Sequence, residues 1–309
     1  MRQPDLAAYS AASIARGSKS FAAAARLFDA PTRESVTMLY AWCRHCDDVV
    51  DGQDAGSAVR SDDGRPVAER IAGLRRDTAL AFDGRPDGLH PAFAALAAVI
   101  ARHAIPRHDA DEHLAGFAMD GEDRAYETLD ELMLYCWRVA GVVGVMMARI
   151  MGVRDEAVLD RASDLGLAFQ LTNIARDVVD DARAGRIYLP REWLRDEGLA
   201  PGDLADPARN AAVFRLQRRL VLAAEPYYAS ARIGVASLPP RSAWAVGTAL
   251  DVYRRIGSKL VTRGAEGVGT RVSTSKGEKI AAIAKGAGMA AWRRKGGEPR
   301  SPLLWTRPR

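Results

Sequence analysis

Apolar residues recur along nearly the whole chain at the three- and four-residue spacing of amphipathic helices. No run alternates β-branched and polar residues as a strand would. Pro31-Thr32-Arg33-Glu34 marks a helix start, and Val36, Leu39, Tyr40 and Cys43 then keep helical phase. Gly52, Gly56, Gly64 and Pro66 read as a polar loop. The pattern predicts helices over about 67–82, 91–103 and 106–119, with Gly84, Pro86 and Gly88 as a break. Thr128 opens a long apolar helix through 151, which Gly152 ends. A further long helix is predicted over 155–181, ended by Gly185. Pro190, Pro201 and Pro207 punctuate short helical pieces. Long helices follow at about 207–236 and 240–261. Residues 263–279 read as a mobile loop and 279–294 as a final helix, followed by a loose basic tail. No repeat recurs and no linker is long enough to split the chain. The expectation is an all-α protein with a single domain over 1–295 and a C-terminal tail over 296–309.

Composition narrows the function classes. Hydrophobic residues make up 48% and charged residues 27%, enough for a large buried core. The net charge of +5 is mild and its basic residues are scattered. That suits an anionic substrate or a lipid headgroup surface and argues against nucleic acid. Cys43, Cys46 and Cys136 make no disulfide framework, so a reducing compartment is expected. The N-terminus lacks the apolar stretch of a signal peptide. The longest apolar run, 139–148, stops at Arg149, short of the roughly 20 residues of a membrane span. The expected location is the cytoplasm, with peripheral contact to the inner membrane as an extension.

The chemistry lies in two acidic segments. In Arg44-His45-Cys46-Asp47-Asp48-Val49-Val50-Asp51, a helix brings Asp47 and Asp51 onto one face, about 6 Å apart along the axis, with Asp48 beside Asp51. In Asn173-Ile174-Ala175-Arg176-Asp177-Val178-Val179-Asp180-Asp181 the order is reversed. Asp177 and Asp181 share a face, and Asn173 lies one turn earlier. Clustered aspartates repel one another and weaken a helix, so local stability does not explain them. A hard divalent cation does, because Mg²⁺ takes one or two carboxylates, waters and phosphate oxygens. A solvated acidic face is the blander reading for either segment alone. Two such segments, each embedded in apolar sequence, favour metal. Arg44 and Arg176 suit diphosphate contacts or ion pairs. Ser18, Lys19 and Ser20 group two hydroxyls and an ammonium, although such tetrapeptides are common in exposed turns. Cys43 and Cys46 form a CxxC without the second ligand pair of a zinc site, so they read as core.

These segments resemble the two aspartate motifs of the squalene/phytoene synthase family. Gly17-Ser18-Lys19-Ser20-Phe21 is similar to its N-terminal serine motif, although many members carry His where Gly17 stands. Residues 135–144 resemble its central helix, and Gly185-Arg186-Ile187-Tyr188-Leu189-Pro190 its following loop. The likeness spans about 15–259. Within the family it leans to the bacterial phytoene synthases through Gly116-Phe117-Ala118-Met119-Asp120 and Arg241-Ser242-Ala243-Trp244-Ala245.

The resemblance implies an isoprenoid-synthase helical bundle with a central cavity. It also implies head-to-head condensation of two geranylgeranyl diphosphates to phytoene, using Mg²⁺ or Mn²⁺ and no nicotinamide. On that reading Asp47, Asp48, Asp51, Asp177 and Asp181 hold metal and Asn173 assists, with Asp180 as a further candidate. Arg44, Arg176, Ser18, Lys19 and Ser20 contact diphosphate. Tyr40, Tyr135 and Tyr253 offer π faces to a cation, and ordinary packing reads Tyr253 equally well. Phe21, Gln170, Val139, Val143 and Leu167 line the pocket. Gly141 and Gly144 either make room for long chains or let helices pack closely. Downstream carotenoid enzymes are the implied partners. Trp292, Arg293, Arg294, Lys295, Arg300, Trp305, Arg307 and Arg309 form a tail that either touches anionic lipid or is merely solubilising. Three alternatives stay open: a C30 synthase acting on farnesyl diphosphate, a non-catalytic helper on the same fold, and a structural cation-binding bundle.

Overall fold

The computed structural model describes residues 5–17, 19–52, 64–121, 125–291 and 298–308, and among these every regular element is helical. Ser18, Trp292, Arg293, Arg294, Lys295 and Arg309 lie outside the described residues, and of Lys19 and Ser20 only the helical backbone is described. The helices are α1 Leu6–Gly17, α2 Lys19–Ala25, α3 Ala30–Asp51, α4 Val67–Phe82, α5 Pro91–His103, α6 Arg107–Gly121 and α7 Leu129–Cys136. After a π-helical turn, Trp137–Gly141, come α8 Val142–Ile150, α9 Glu156–Arg183, α10 Arg191–Asp196, α11 Asn210–Val235, α12 Pro240–Arg263 and α13 Lys276–Ala291.

The ends sit where the capping residues put them. Asp29 caps α3, accepting from the Thr32 amide and hydroxyl, each at 2.9 Å. Gly52 ends the helix in the left-handed region at φ +62°. Thr128 caps α7 and Asp155 caps α9 through their side chains. The stretch predicted as a mobile loop, 263–279, holds a 3-10 turn at Ala265–Gly267 and the start of the last helix at Lys276; Val268 and Val272 are buried, and Lys259 Nζ donates to the Ser273 carbonyl at 2.9 Å.

The long apolar helix differs from a plain α-helix in one place. Trp137–Gly141 is wound wider, and His113 Nδ1 donates to the Arg138 carbonyl at 3.1 Å. Gly116 lets α6 approach this turn: a Cβ there would lie 2.8 Å from Val139 Cγ1 and 2.9 Å from Arg138 Cβ. No glycine-proline breaker announces the turn, because its cause is the partner helix.

Leu129–Ile150 is long and apolar enough to cross a membrane, and more than half of it is buried inside the protein. It packs on α9 on one side and on α3 and α6 on the other. Gly144 fits both readings given for it, since it lines the cavity described below and also lies in a close seam with Gly166. A Cβ on Gly144 would strike the Ala162 carbonyl oxygen, and one on Gly166 the backbone at Ala140. The helices approach backbone to backbone.

Residues 298–308 are held rather than loose. Arg300 grips the fully buried Asp164 through Nε at 2.9 Å and Nη2 at 2.7 Å. Arg307 Nε meets Asp160 at 2.7 Å, Arg307 also pairs with Glu156, and Leu304 is buried. All three acids belong to the first half of α9. The basic residues of the tail find them there, which sequence distance hid.

Candidate active site

α3 carries Asp47, Asp48 and Asp51 in its last two turns, and α9 carries Asp177, Asp180 and Asp181 in its own. The Leu129–Ile150 helix lies between α3 and α9, so their acidic ends flank a recess. Arg186, just past α9, reaches across it, with Nη2 2.6 Å from Asp51 Oδ1.

Each acidic segment holds its own guanidinium. Arg44 meets Asp47 Oδ2 at 2.9 Å and Asp48 Oδ1 at 2.6 Å. Arg176 grips Asp177 with two parallel bonds, the Nε one at 2.7 Å. Asp180, more exposed, meets Arg183 at 3.6 Å. Asp120 of α6 joins the recess from behind. It accepts from the Tyr135 hydroxyl at 3.2 Å and the Tyr188 hydroxyl at 3.1 Å.

Burial first, and neighbouring acids second, raise the pKa values of Asp47, Asp120 and Asp181. Burial pushes Asp47 up to about 6, against the pull of Arg44 and with a further push from Asp51, Asp48 and Asp120. Its side chain is still 40% open to solvent, so depth in the recess rather than sealing causes the shift. Burial also pushes Asp181 up to about 7, aided by Asp177. It pushes Asp120 up to about 6, against the two tyrosine hydroxyls. Negative charge in this recess is therefore under-compensated.

Those donors fit a divalent cation brought in with phosphate. Among the described residues no three acidic, imidazole or thiol side chains converge on one point. Mg²⁺ does not need them to, since it usually binds through one or two carboxylates plus waters and substrate phosphates. Asp47, Asp51, Asp177, Asp181 and the Asn173 amide supply hard oxygens at the recess.

An apolar cavity of about 330 Å³ runs inward from the recess. Tyr40, Gln170 and Asn173 line its mouth, and Asn173 Nδ2 lies 3.5 Å from Gln170 Oε1. Phe21, Val139, Val143, Met147 and Phe169 line its length, and Met151 and Val158 stand at its far end. The α9 lining alone, from Asn173 to Val158, covers about 22 Å of helix axis. Phe21 lies 5.3 Å from the Tyr40 ring, and Tyr253 stacks on Phe169 at 4.2 Å. Burial raises the Tyr40 hydroxyl to about 12, so it stays protonated. Gly17 is fitted to this residue, because a Cβ there would run into the Tyr40 hydroxyl.

Two lining expectations are placed elsewhere. Leu167 is fully buried and packs beside Gly141. Tyr135 points at Asp120 and stacks on Tyr188 at 5.1 Å, away from the apolar cavity. His45 is no base at the recess. It stacks on His90 at 3.8 Å, and burial lowers it to about 3. Cys43 and Cys46 are free thiols pushed up by burial. Arg186, Asp120 and Tyr188 were not assigned roles from sequence. All three lie in stretches quoted for the family likeness, and that was their only signal.

The sequence matches the squalene/phytoene synthase family over residues 14–278. It is 54% identical over 293 residues to the 15-cis-phytoene synthase of Enterobacter agglomerans, spanning 94% of this chain and 99% of that one. It is 52% identical over 310 residues to the phytoene synthase of Pseudescherichia vulneris, spanning 100% of each. The fold superposes on a dehydrosqualene synthase crystallised with a ligand, with a TM-score of 0.78, 26% identity, and 92% of this chain and 95% of that one covered.

Proposed function

The chain belongs to the squalene/phytoene synthase family, and we propose that it joins two geranylgeranyl diphosphates head to head into phytoene, as a prenyltransferase of carotenoid biosynthesis. The observation that carries this reading is the joining of an acid- and arginine-lined recess to a long apolar cavity. An allylic diphosphate has those two halves.

Asp47, Asp51, Asn173, Asp177 and Asp181 would hold divalent metal together with the diphosphate, and Asp48 orients Arg44. When bound, the metal supplies Lewis acidity for the departing diphosphate. Arg44, Arg176 and Arg186 would bind diphosphate oxygens, and the aspartates they now pair with would be the ones to hold the cation. Ser18, Lys19 and Ser20 keep their expected role on the same group. The first carbon–oxygen bond breaks, and the allylic cation adds to the double bond of the second substrate. Loss of a proton leaves a cyclopropyl diphosphate. Its ionisation, rearrangement and loss of a second proton give phytoene. Over the reaction two diphosphates and two protons leave. The apolar wall of Phe21, Val139, Val143 and Phe169 keeps water from the cation. Tyr40 and Tyr253 turn ring surface to it at the mouth.

The reaction takes place at a membrane surface, where such substrates and products partition and where enzymes acting on phytoene receive it. The exposed Ile280 and Leu303 and the net charge of +5 support that placement.

The test is incubation of the protein with Mg²⁺ and either C15 or C20 diphosphate, without nicotinamide. Phytoene from the C20 substrate is expected. A C30 product alone moves the chain to a neighbouring branch of the family. Absence of any hydrocarbon and of diphosphate release from folded protein, with lipid present, overturns the reading.

A further inference from the structure

Arg161 is out of place among the side chains lining the cavity. Apart from Lys279 the other lining residues are uncharged, and Arg161 is only 8% exposed. It lies on α9 twelve positions before Asn173, about 18 Å deeper along the helix axis.

Its two halves do different things. The aliphatic stem fills the seam between α9 and α11, where a Cβ on Gly234 would lie 2.8 Å from Arg161 Cβ. On the α11 side that wall is thin, made by Ala231 and Gly234. The guanidinium turns out of the cavity. Nη1 donates to Ser230 O and Oγ, each at 3.2 Å, and Nη2 donates to the Glu298 carbonyl. Ser230 Oγ donates to Asp164 at 2.5 Å, and Asp164 also takes the two bonds of Arg300. Arg300 Nη2 donates to the Trp305 carbonyl at 2.7 Å, and the Trp305 amide donates to the Tyr227 hydroxyl at 3.1 Å. The seam therefore has the cavity on one side and residues 298–305 on the other.

A buried guanidinium is costly unless its donors are satisfied. Ser230 and the Glu298 carbonyl take donors of Arg161, with Asp164 one hydrogen bond behind Ser230 and shared with Arg300. Residues 298–308 form a strap across the back of the seam and supply both Glu298 and Arg300. The strap thus fixes where the stem stands.

We infer that Arg161 is a specificity-determining residue: its stem, backed by the 298–308 strap, forms the side wall one turn short of the Val158 end and so limits how long a prenyl chain the cavity accepts. The inference rests on the proposed prenyl-diphosphate chemistry. A shorter stem opens the seam toward the strap and lengthens the cavity.

The experiment compares Arg161→Met with Arg161→Ala, both uncharged and differing only in stem. Each is given C20 or C25 allylic diphosphate with Mg²⁺, and kcat/KM is measured for both substrates alongside a thermal melt. Arg161→Ala should raise the C25 to C20 ratio about tenfold over wild type, as pocket changes of this size do. Arg161→Met should keep the wild-type ratio. Equal ratios in all three proteins, with melts lowered alike in both variants, make Arg161 a purely structural residue and overturn the inference. If neither variant folds, Ala231→Phe fills the same seam without touching the latch. It should move preference from C20 toward C15, and an unchanged preference shows that chains never reach this depth. Failure of wild type to make phytoene sinks the proposed function instead, so the two failures are told apart.

Discussion

Arg186 and Asp51 form the pair that crosses the recess, with Nη2 and Oδ1 2.6 Å apart. Asp51 ends the helix that carries the first acidic motif, and Arg186 lies just beyond the helix that carries the second. The pair braces the two acid-bearing elements, and on the proposed chemistry its guanidinium would pass to the diphosphate. Arg186→Met should cut kcat by on the order of 10²-fold, the usual cost of one charge-stabilising donor. Far-UV circular dichroism should be unchanged. Full turnover in that variant would remove Arg186 from the mechanism.

Asp181 gives a pH prediction with a definite sign. Its carboxyl titrates at about 7 in the fold, well above the ordinary carboxylate value. Between about pH 4 and 7 the folded chain thus holds a proton that the unfolded chain has released. The group weakens the metal-free fold as pH rises through that window. Asp47, at about 6, acts in the same direction. Metal-free Asp181→Asn should therefore melt higher than wild type at pH 8, and the gap should narrow steadily as pH falls toward 4. Mg²⁺ with diphosphate should raise the wild-type melting temperature more at pH 8 than at pH 5.5 and leave the variant nearly unmoved. A variant less stable than wild type at pH 8 contradicts the charge crowding described above.

Gly166 is the third test, and it concerns the frame. A Cβ there meets backbone at Ala140 and Gly141, which cannot swing aside as a side chain can. Gly166→Ala should cost about 1–3 kcal/mol by overpacking the seam. Denaturant unfolding measures it directly. A neutral result would show that the two helices have slack.

The helices were legible because their signals are local. Thr128 and Asp155 cap the helices the sequence opens there, α3 starts at Ala30 just before the start marked at Pro31, and 67–82 and 91–103 fall as predicted. The two acidic faces were legible because four-residue spacing fixes a face on any helix. What stayed hidden depends on partners far along the chain. The π turn at Trp137–Gly141 answers to His113 and Gly116 on another helix. Tyr135 shares the phase of Val139 in sequence yet turns to Asp120, because a buried hydroxyl needs an acceptor. The grip of Arg300 on Asp164 spans 136 positions, so composition alone read the segment as a loose tail.

The resting partners of the acids have a consequence for binding. Arg44 with Asp47 and Asp48, Arg176 with Asp177, and Arg186 with Asp51 are counter-ions already stored inside the recess. On the proposed chemistry, arrival of metal and diphosphate would be an exchange of partners, carboxylates passing to the cation and guanidiniums to the anion. The acids outnumber these guanidiniums, and burial and mutual repulsion push Asp47 and Asp181 upward. Loading such a site would therefore be part double displacement between ion pairs and part neutralisation of a charge the fold leaves over.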